Sequence, residues 1–220
     1  MSSAFETFLS DLRAPIERDP AARGVLDVVL SYPGFHAITA HRAIHALYKA
    51  GVPILPRFLS HIVRFATGIE IHPGATIGDG FFIDHGMGVV IGATTIVGSN
   101  VTLYQGVTLG GTSLHTGKRH PTLLDNVVVG VGAAVLGDIV VGENSQVGAG
   151  SVVVKDVPPN STVVGIPGRI VAKDGKPLEV AQPERPQVQM PDPTAAVIAR
   201  LEARIAALEE RLQSLDAAAL

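Results

Sequence analysis

The chain has 220 residues, with 24 glycines, no cysteine, no tryptophan and a formal net charge of −3 when its eight histidines are neutral. Absence of cysteine excludes disulfides, thiolate metal sites and a cysteine nucleophile, and the mild acidity gives no nucleic-acid footprint or membrane-surface patch. No apolar run approaches the roughly 18 residues of a spanning helix, and the opening MSSAFETFLSDLRAP lacks a secretory pattern, so a cytoplasmic protein without nucleic-acid or membrane partners is expected.

Residues 1–68 read as a helical domain. Apolar positions in GVLDVVLSYPGFHAITAHRAIHALYKAG recur three and four apart, prolines at 33, 53 and 56 divide the segment, and Gly51 and Gly68 sit where helices would stop. His41 and His45 fall at i and i+4 without a third ligand and are expected on the surface.

From residue 69 the period changes to six. Ile71, Ile77 and Ile83 are followed, after a two-residue shift, by Ile91, Val97, Leu103 and Leu109; Leu123, Val129, Val135, Val141, Val147 and Val153 hold the same step. Glycine often comes next, as at Gly78, Gly92, Gly98, Gly130 and Gly148. Neither a helix nor an ordinary alternating strand has that period. A solenoid of short strands with a tight turn at every corner does, each aliphatic residue pointing inward. The repeat spans 69–172 and breaks once, at GGTSLHTGKRHPT, which should be a polar loop extruded from a corner.

Residues 173–193 are proline-rich and read as an extended linker. In 194–220, Ile198, Leu201, Ile205, Leu208, Leu212 and Leu215 alternate three and four apart, the seam of a short coiled-coil helix introduced by Asp192-Pro193.

The hexapeptide pattern resembles that of the left-handed parallel β-helix, in which three hexapeptides make one triangular coil. The implied fold is an all-β left-handed parallel β-helix of about five coils, with an N-terminal α-helical domain and a C-terminal coiled-coil helix. More specific are Glu70-Ile71-His72-Pro73-Gly74-Ala75, Ile83-Asp84-His85-Gly86, Gly106-Val107-Thr108-Leu109-Gly110-Gly111-Thr112 and Gly117-Lys118-Arg119-His120-Pro121. With Asp19-Pro20-Ala21 and Gly34-Phe35-His36-Ala37, these resemble serine O-acetyltransferases over roughly residues 17 to 172.

That resemblance implies direct transfer of acetyl from acetyl-CoA to the hydroxyl of L-serine, giving O-acetylserine for cysteine biosynthesis, with no metal. A serine hydroxyl is a poor nucleophile at neutral pH and needs a base, for which histidine is suited. By resemblance His85 is that base and Glu70 its carboxylate partner. Asp19 and Asp84 serve the substrate ammonium, and Arg119 and His120 its carboxylate; His72 also fits the family pattern. For Asp19 a helix N-cap role ahead of Pro20 is the competing reading. Acetyl-CoA would lie in a groove between subunits, against Gly111, Thr112, Val131 and Ala149, with Lys155 and Arg169 near its phosphates.

A homotrimer is implied rather than the hexamer of members with longer helical regions, and L-cysteine is the implied feedback inhibitor. The ending DAAAL departs from the isoleucine-terminated tail with which relatives enter cysteine synthase, which puts that partnership in doubt. Two alternatives stand beside this reading. One is O-acetylation of a sugar or another amino acid. The other is a γ-type zinc carbonic anhydrase, for which His115 and His120 have an H-x4-H spacing and His85 could be a third ligand.

Overall fold

The structure, a computed structural model, describes residues 3–178 and, in the C-terminal segment, residues 200–201, 204–205 and 208. Two compact units are defined, 1–180 and 181–220.

Four helices open the first unit: α1 (Ala4–Arg18), α2 (Val25–Ser31), α3 (Pro33–Lys49) and α4 (Leu55–Thr67). A capping box starts α1, in which Ser3 and Glu6 each satisfy the other's backbone N–H. Proline stands in the first turn of α3 and α4, where its missing N–H costs nothing, and Gly68 closes α4 in the left-handed conformation. Leu12, Val28, Phe35 and Tyr32 pack together as a small core among the first three helices.

The chain then winds into a three-sided parallel β-helix. The first face stacks β1 (Glu70–Ile71), β4 (Val90–Ile91), β7 (Thr108–Gly110), β10 (Ala134–Leu136) and β13 (Val152–Val153). The second face holds β2 (Thr76–Ile77), β5 (Ile96–Val97), β8 (Thr122–Leu123) and β11 (Val140–Val141). The third holds β3 (Phe82–Ile83), β6 (Thr102–Leu103), β9 (Val128–Val129), β12 (Gln146–Val147) and β14 (Ser161–Val164). It is finished by the antiparallel strands β15 (Arg169–Lys173) and β16 (Lys176–Pro177). The segment expected to be linker from residue 173 therefore begins as part of a hairpin.

All thirteen aliphatic residues of the period-six series are buried and belong to one continuous core. Register records where the repeat is broken. Val90 pairs with Thr108, one regular coil on; Glu70 pairs with Val90, two residues further than a coil; Thr108 pairs with Ala134, across the extruded loop. The corner between the second and third faces is turned by Asn100, Asn126, Asn144 and Asn160 at positive φ. Their amides form a ladder, Asn126 donating to Asn144 at 3.0 Å and Asn144 to Asn160 at 3.1 Å. Two corners remain, and they carry the chemistry: the leading corner, from first face to second, and the closing corner, from third face back to first.

The helices clamp the first coil, with α4 packed on β1 and α3 on β3. His41 is not at the surface, contrary to the expectation from sequence. It is buried, and its Nε2–H donates to the Ala75 carbonyl at 3.2 Å, while His45 reaches the Pro73 carbonyl at 2.7 Å. Burial lowers the His41 pKa from 6.5 to about 3, with the charges of His45 and Arg42 acting in the same direction. Asp11, also buried, is held by Arg42 at 3.1 Å; desolvation raises its pKa against the pull of that cation.

In the second unit, residues 200–201, 204–205 and 208 are helical, and Leu201, Ile205 and Leu208 are about half exposed. The other seam positions expected of a coiled coil, Ile198, Leu212 and Leu215, lie outside the described residues.

Candidate active site

In the later coils the closing corner is turned by Tyr104-Gln105-Gly106, Gly130-Val131-Gly132 and Gly148-Ala149-Gly150. Each level is tied to the one above by a backbone hydrogen bond. Gly106 donates to Met87, Gly132 to Gln105 and Gly150 to Val131, at 2.8 to 2.9 Å. In that alignment Asp84 stands over Tyr104 and Met87 over Gln105, so His85 and Gly86 are the surplus pair. They form an extra loop at the corner, with φ of 57° at His85 and 81° at Gly86. A histidine held there is unusual and is retained only by surrounding constraint. Part of that constraint is visible: a Cβ on Gly86 would overlap the side chain of Ile69. His85 is exposed and Asp84 half-buried.

Three residues of the helical region, Gly34, Tyr32 and Asp19, reach this corner. Gly34 lies so close to the Ile83 carbonyl that any Cβ would overlap it, which sets the start of α3 directly on β3. The preceding residue pair, Tyr32-Pro33, leads into that contact. The Tyr32 hydroxyl donates to Asp19 Oδ2 at 2.6 Å, and the Ala21 N–H donates to Asp19 Oδ1 at 2.8 Å. Asp19 is thus the C-cap of α1 and not a helix N-cap. Its pKa is lowered, first by the tyrosine hydrogen bond and also by the charge of His85. The Tyr32 phenol is pushed up to about 12, mainly by its bond to Asp19, with Asp27 and Asp84 adding. Asp19, Tyr32, Asp84 and His85 therefore form one electrostatic cluster.

The leading corner is built differently. His72 follows β1, and its Nδ1 accepts the Gly74 N–H at 2.9 Å. Desolvation first, then the cationic charges of Arg57 and Arg119, lower its pKa to about 4. Thr94 organises the end of the extruded loop: its hydroxyl oxygen accepts from the backbone N–H of Arg119 at 3.0 Å and of His120 at 3.2 Å. The same hydroxyl lies 2.8 Å from His120 Nδ1, to which the Thr94 N–H also points at 3.3 Å. An oxygen already accepting two bonds gives its proton to Nδ1, so the other ring nitrogen, Nε2, carries the hydrogen. His120 is buried and its pKa lowered, by desolvation first and then by Arg119 and Lys118. Its ring occupies the space beside Gly92, where a Cβ would overlap it. Lys118 donates to the His120 carbonyl and pairs with Asp138 at 3.7 Å.

Within one chain the expected site residues thus fall into two groups. Asp19, Asp84 and His85 gather at the closing corner; Arg119 and His120, with His72, gather at the leading corner, and the first face runs between them. Glu70 lies on that face in β1, and its Oε2 pairs with Arg64 of α4 at 3.2 Å. The expected acetyl-CoA contacts follow both edges of the same face. Val131 and Ala149 sit at the closing corner below His85; Gly111 and Thr112 leave β7 toward the leading corner; Lys155 follows β13 and Arg169 begins β15. All six are exposed. Tyr32, Thr94 and Arg64 were not singled out from sequence, because each acts through a long-range contact that no local motif records. Among the described residues of the single chain, no three histidine or carboxylate side chains are grouped to hold a metal ion.

The residues of interest thus sit on a hexapeptide β-helix with a histidine extruded at one corner of its first face. Residues 1–40 match the family model for the N-terminal region of serine acetyltransferase. A serine acetyltransferase of Synechococcus elongatus is 56% identical over 212 residues, 96% of this chain and 85% of that protein. The structure of the Neisseria gonorrhoeae serine acetyltransferase in complex with serine superposes with a TM-score of 0.74 at 45% identity, over 76% of this chain and 69% of that one. A serine acetyltransferase in complex with cysteine gives a TM-score of 0.74 at 40% identity, over 76% and 69% of the two chains. The chain spans about two thirds of the length of these solved structures. It belongs to the serine acetyltransferase family.

Proposed function

We propose that this protein transfers acetyl from acetyl-CoA to the hydroxyl of L-serine, with His85 as general base. The observation that carries this is the extruded Asp84-His85-Gly86 turn, with a second ionised carboxylate, Asp19, brought to it by the helical region. Paired carboxylates suit an ammonium. The guanidinium of Arg119 and the Nε2–H of a neutral His120 suit a carboxylate. In the reaction His85 takes the serine hydroxyl proton as the serine oxygen bonds to the thioester carbonyl carbon. The carbon–sulfur bond then breaks, and the proton passes to the departing thiolate, giving O-acetylserine and free CoA. Glu70 is the proposed carboxylate partner of the imidazole, since Oε2 faces Arg64 and Oε1 remains for an N–H. Holding both substrates in line supplies much of the rate gain, up to about 7–11 kcal/mol.

We place the complete site between copies of the chain. The two groups lie at opposite edges of one face, so a neighbouring copy must bring its leading corner to the closing corner of the first. A trimer does this three times over, with acetyl-CoA lying along the shared groove past Val131 and Ala149. The apolar surface next to the first coil supports such packing: Phe58, Ile62 and Phe65 of α4 and Met87 are 47 to 91% exposed. Cysteine, which bears a thiol in place of serine's hydroxyl, is the proposed inhibitor at the same site, in keeping with the relative solved with cysteine bound.

The test is consumption of acetyl-CoA with serine and with a panel of other hydroxyl acceptors, with and without cysteine, beside a mass measurement in solution. Serine-dependent turnover by a trimer is expected. Turnover with another acceptor but not serine would sink the assignment, and a fully active monomer would sink the shared site.

A further inference from the structure

We infer that Tyr32 is a positioning residue for the ammonium site: through its hydroxyl it fixes the Asp19 carboxylate and so sets the affinity for the acceptor amino acid. The inference rests on the proposed role of Asp19. It starts from how little else holds that side chain. Asp19 ends α1 with extended φ and ψ, and the segment from there to α2 belongs to no helix or strand. Its bond from Ala21 N–H is local, tying the carboxylate to its own turn and not to the rest of the molecule. The bond from Tyr32, thirteen residues away, is the one that ties it to the rest of the structure.

Tyr32 is itself well placed to be an anchor. Its N–H donates to Val28 and its carbonyl accepts from His36, both at 3.2 Å, so its backbone is shared between the end of α2 and the start of α3. Its ring packs with Leu12, Val28 and Phe35. Pro33 restricts the next φ, and Gly34 is pressed onto Ile83, the residue before Asp84-His85. A rigid path therefore runs from the extruded turn through Gly34 and Tyr32 to Asp19. Because the phenol is pushed up to about 12, it keeps its proton throughout the working range and always donates. A charge-assisted O–H···O⁻ bond of 2.6 Å holds a carboxylate firmly without neutralising it. Each Asp19 oxygen then uses one acceptor position internally and keeps another for a ligand N–H. The charge of Asp84 also acts on this phenol, in the same direction as that of Asp19.

Tyr32→Phe keeps the packed ring and removes only the hydroxyl. In the full-length enzyme the KM for serine should rise roughly tenfold, the magnitude of one hydrogen bond to a charged group. The KM for acetyl-CoA should stay unchanged, kcat should stay within about twofold, and adding Y32F to Asp19→Asn should raise the serine KM no further. A thermal midpoint close to the parent's certifies the fold. Unchanged serine KM in Y32F while D19N raises it would overturn the positioning role and leave the Asp19 reading standing, as would additive effects of the two substitutions. Unchanged serine KM in D19N would overturn both.

Discussion

At the closing corner His85 is exposed, sits at a left-handed φ and makes no side-chain hydrogen bond to the other described residues. At the leading corner His120 is buried, its Nδ1 is bonded to Thr94, and its ring fills the space a glycine leaves open. Both histidines lie in the same solenoid, one face apart. The difference matches the role proposed for each. A group that only holds a substrate carboxylate can be prepared within one chain and kept neutral by burial. A group proposed to take and return a proton must be reachable by the substrate hydroxyl, and His85 is exposed at its corner.

The largest test of that division is His85→Ala. Acetyl transfer should fall by roughly 10²- to 10⁴-fold, the usual worth of a general base, while the mass in solution and the thermal midpoint stay those of the parent. Loss of assembly instead would show that the extruded turn is a packing element. Gly92→Ala attacks the other corner through its backbone. The new methyl must displace the His120 ring, and overpacking of this kind costs about 1–3 kcal/mol. The serine KM should therefore rise roughly 10- to 100-fold with the acetyl-CoA KM little changed; a rise in both would mean the damage spreads along the face.

Acid should also discriminate between the corners. His41 braces the leading corner from α3, and its folded-state pKa of about 3 lies well below 6.5. As pH falls below about 6.5 the unfolded chain gains this proton first, so stability is complete above that pH and drains toward pH 3. Between pH 7 and pH 5 the loss attributable to His41 is about 2 kcal/mol. Chemical denaturation of the parent and of His41→Gln measures it; an equal acid sensitivity in the two would place the effect elsewhere. The smallest expected effect is that of Thr94→Val, which strips the hydroxyl from two backbone donors and from Nδ1. A rise of roughly tenfold in serine KM, about 1.4 kcal/mol, is expected from steady-state kinetics. An unchanged KM would show that the Arg119-His120 segment holds its position without that oxygen.

These residues also show where sequence reading reached and where it stopped. The period of six was legible because each inward aliphatic residue repeats the same local geometry, and every one of them is buried. The two-residue shift between Ile83 and Ile91 was legible too, and it is the His85-Gly86 pair itself. The fate of His41 was not. Its spacing to His45 describes one helix, whereas its burial depends on carbonyls of a coil more than thirty residues away. Thr94 and Tyr32 escaped for the same reason: one hydroxyl acts across the extruded loop and the other across α2, and neither stands in a pattern. Glu70 is an expectation from its place in a motif, and its pairing with Arg64 depends on the path of α4.

The antiparallel turn at the end of the third face has a consequence for how the repeat ends. Stacked coils present bare N–H and C=O groups at both ends, and another coil could add there at about 4.8 Å per step, growing a filament. Here one end is covered by α3 and α4. At the other, β15 and β16 reverse direction on the third face, and the outermost strand there among the described residues is Lys176-Pro177, a charge beside a residue with no N–H to offer. The repetition that stacks the coils is thereby interrupted on this face.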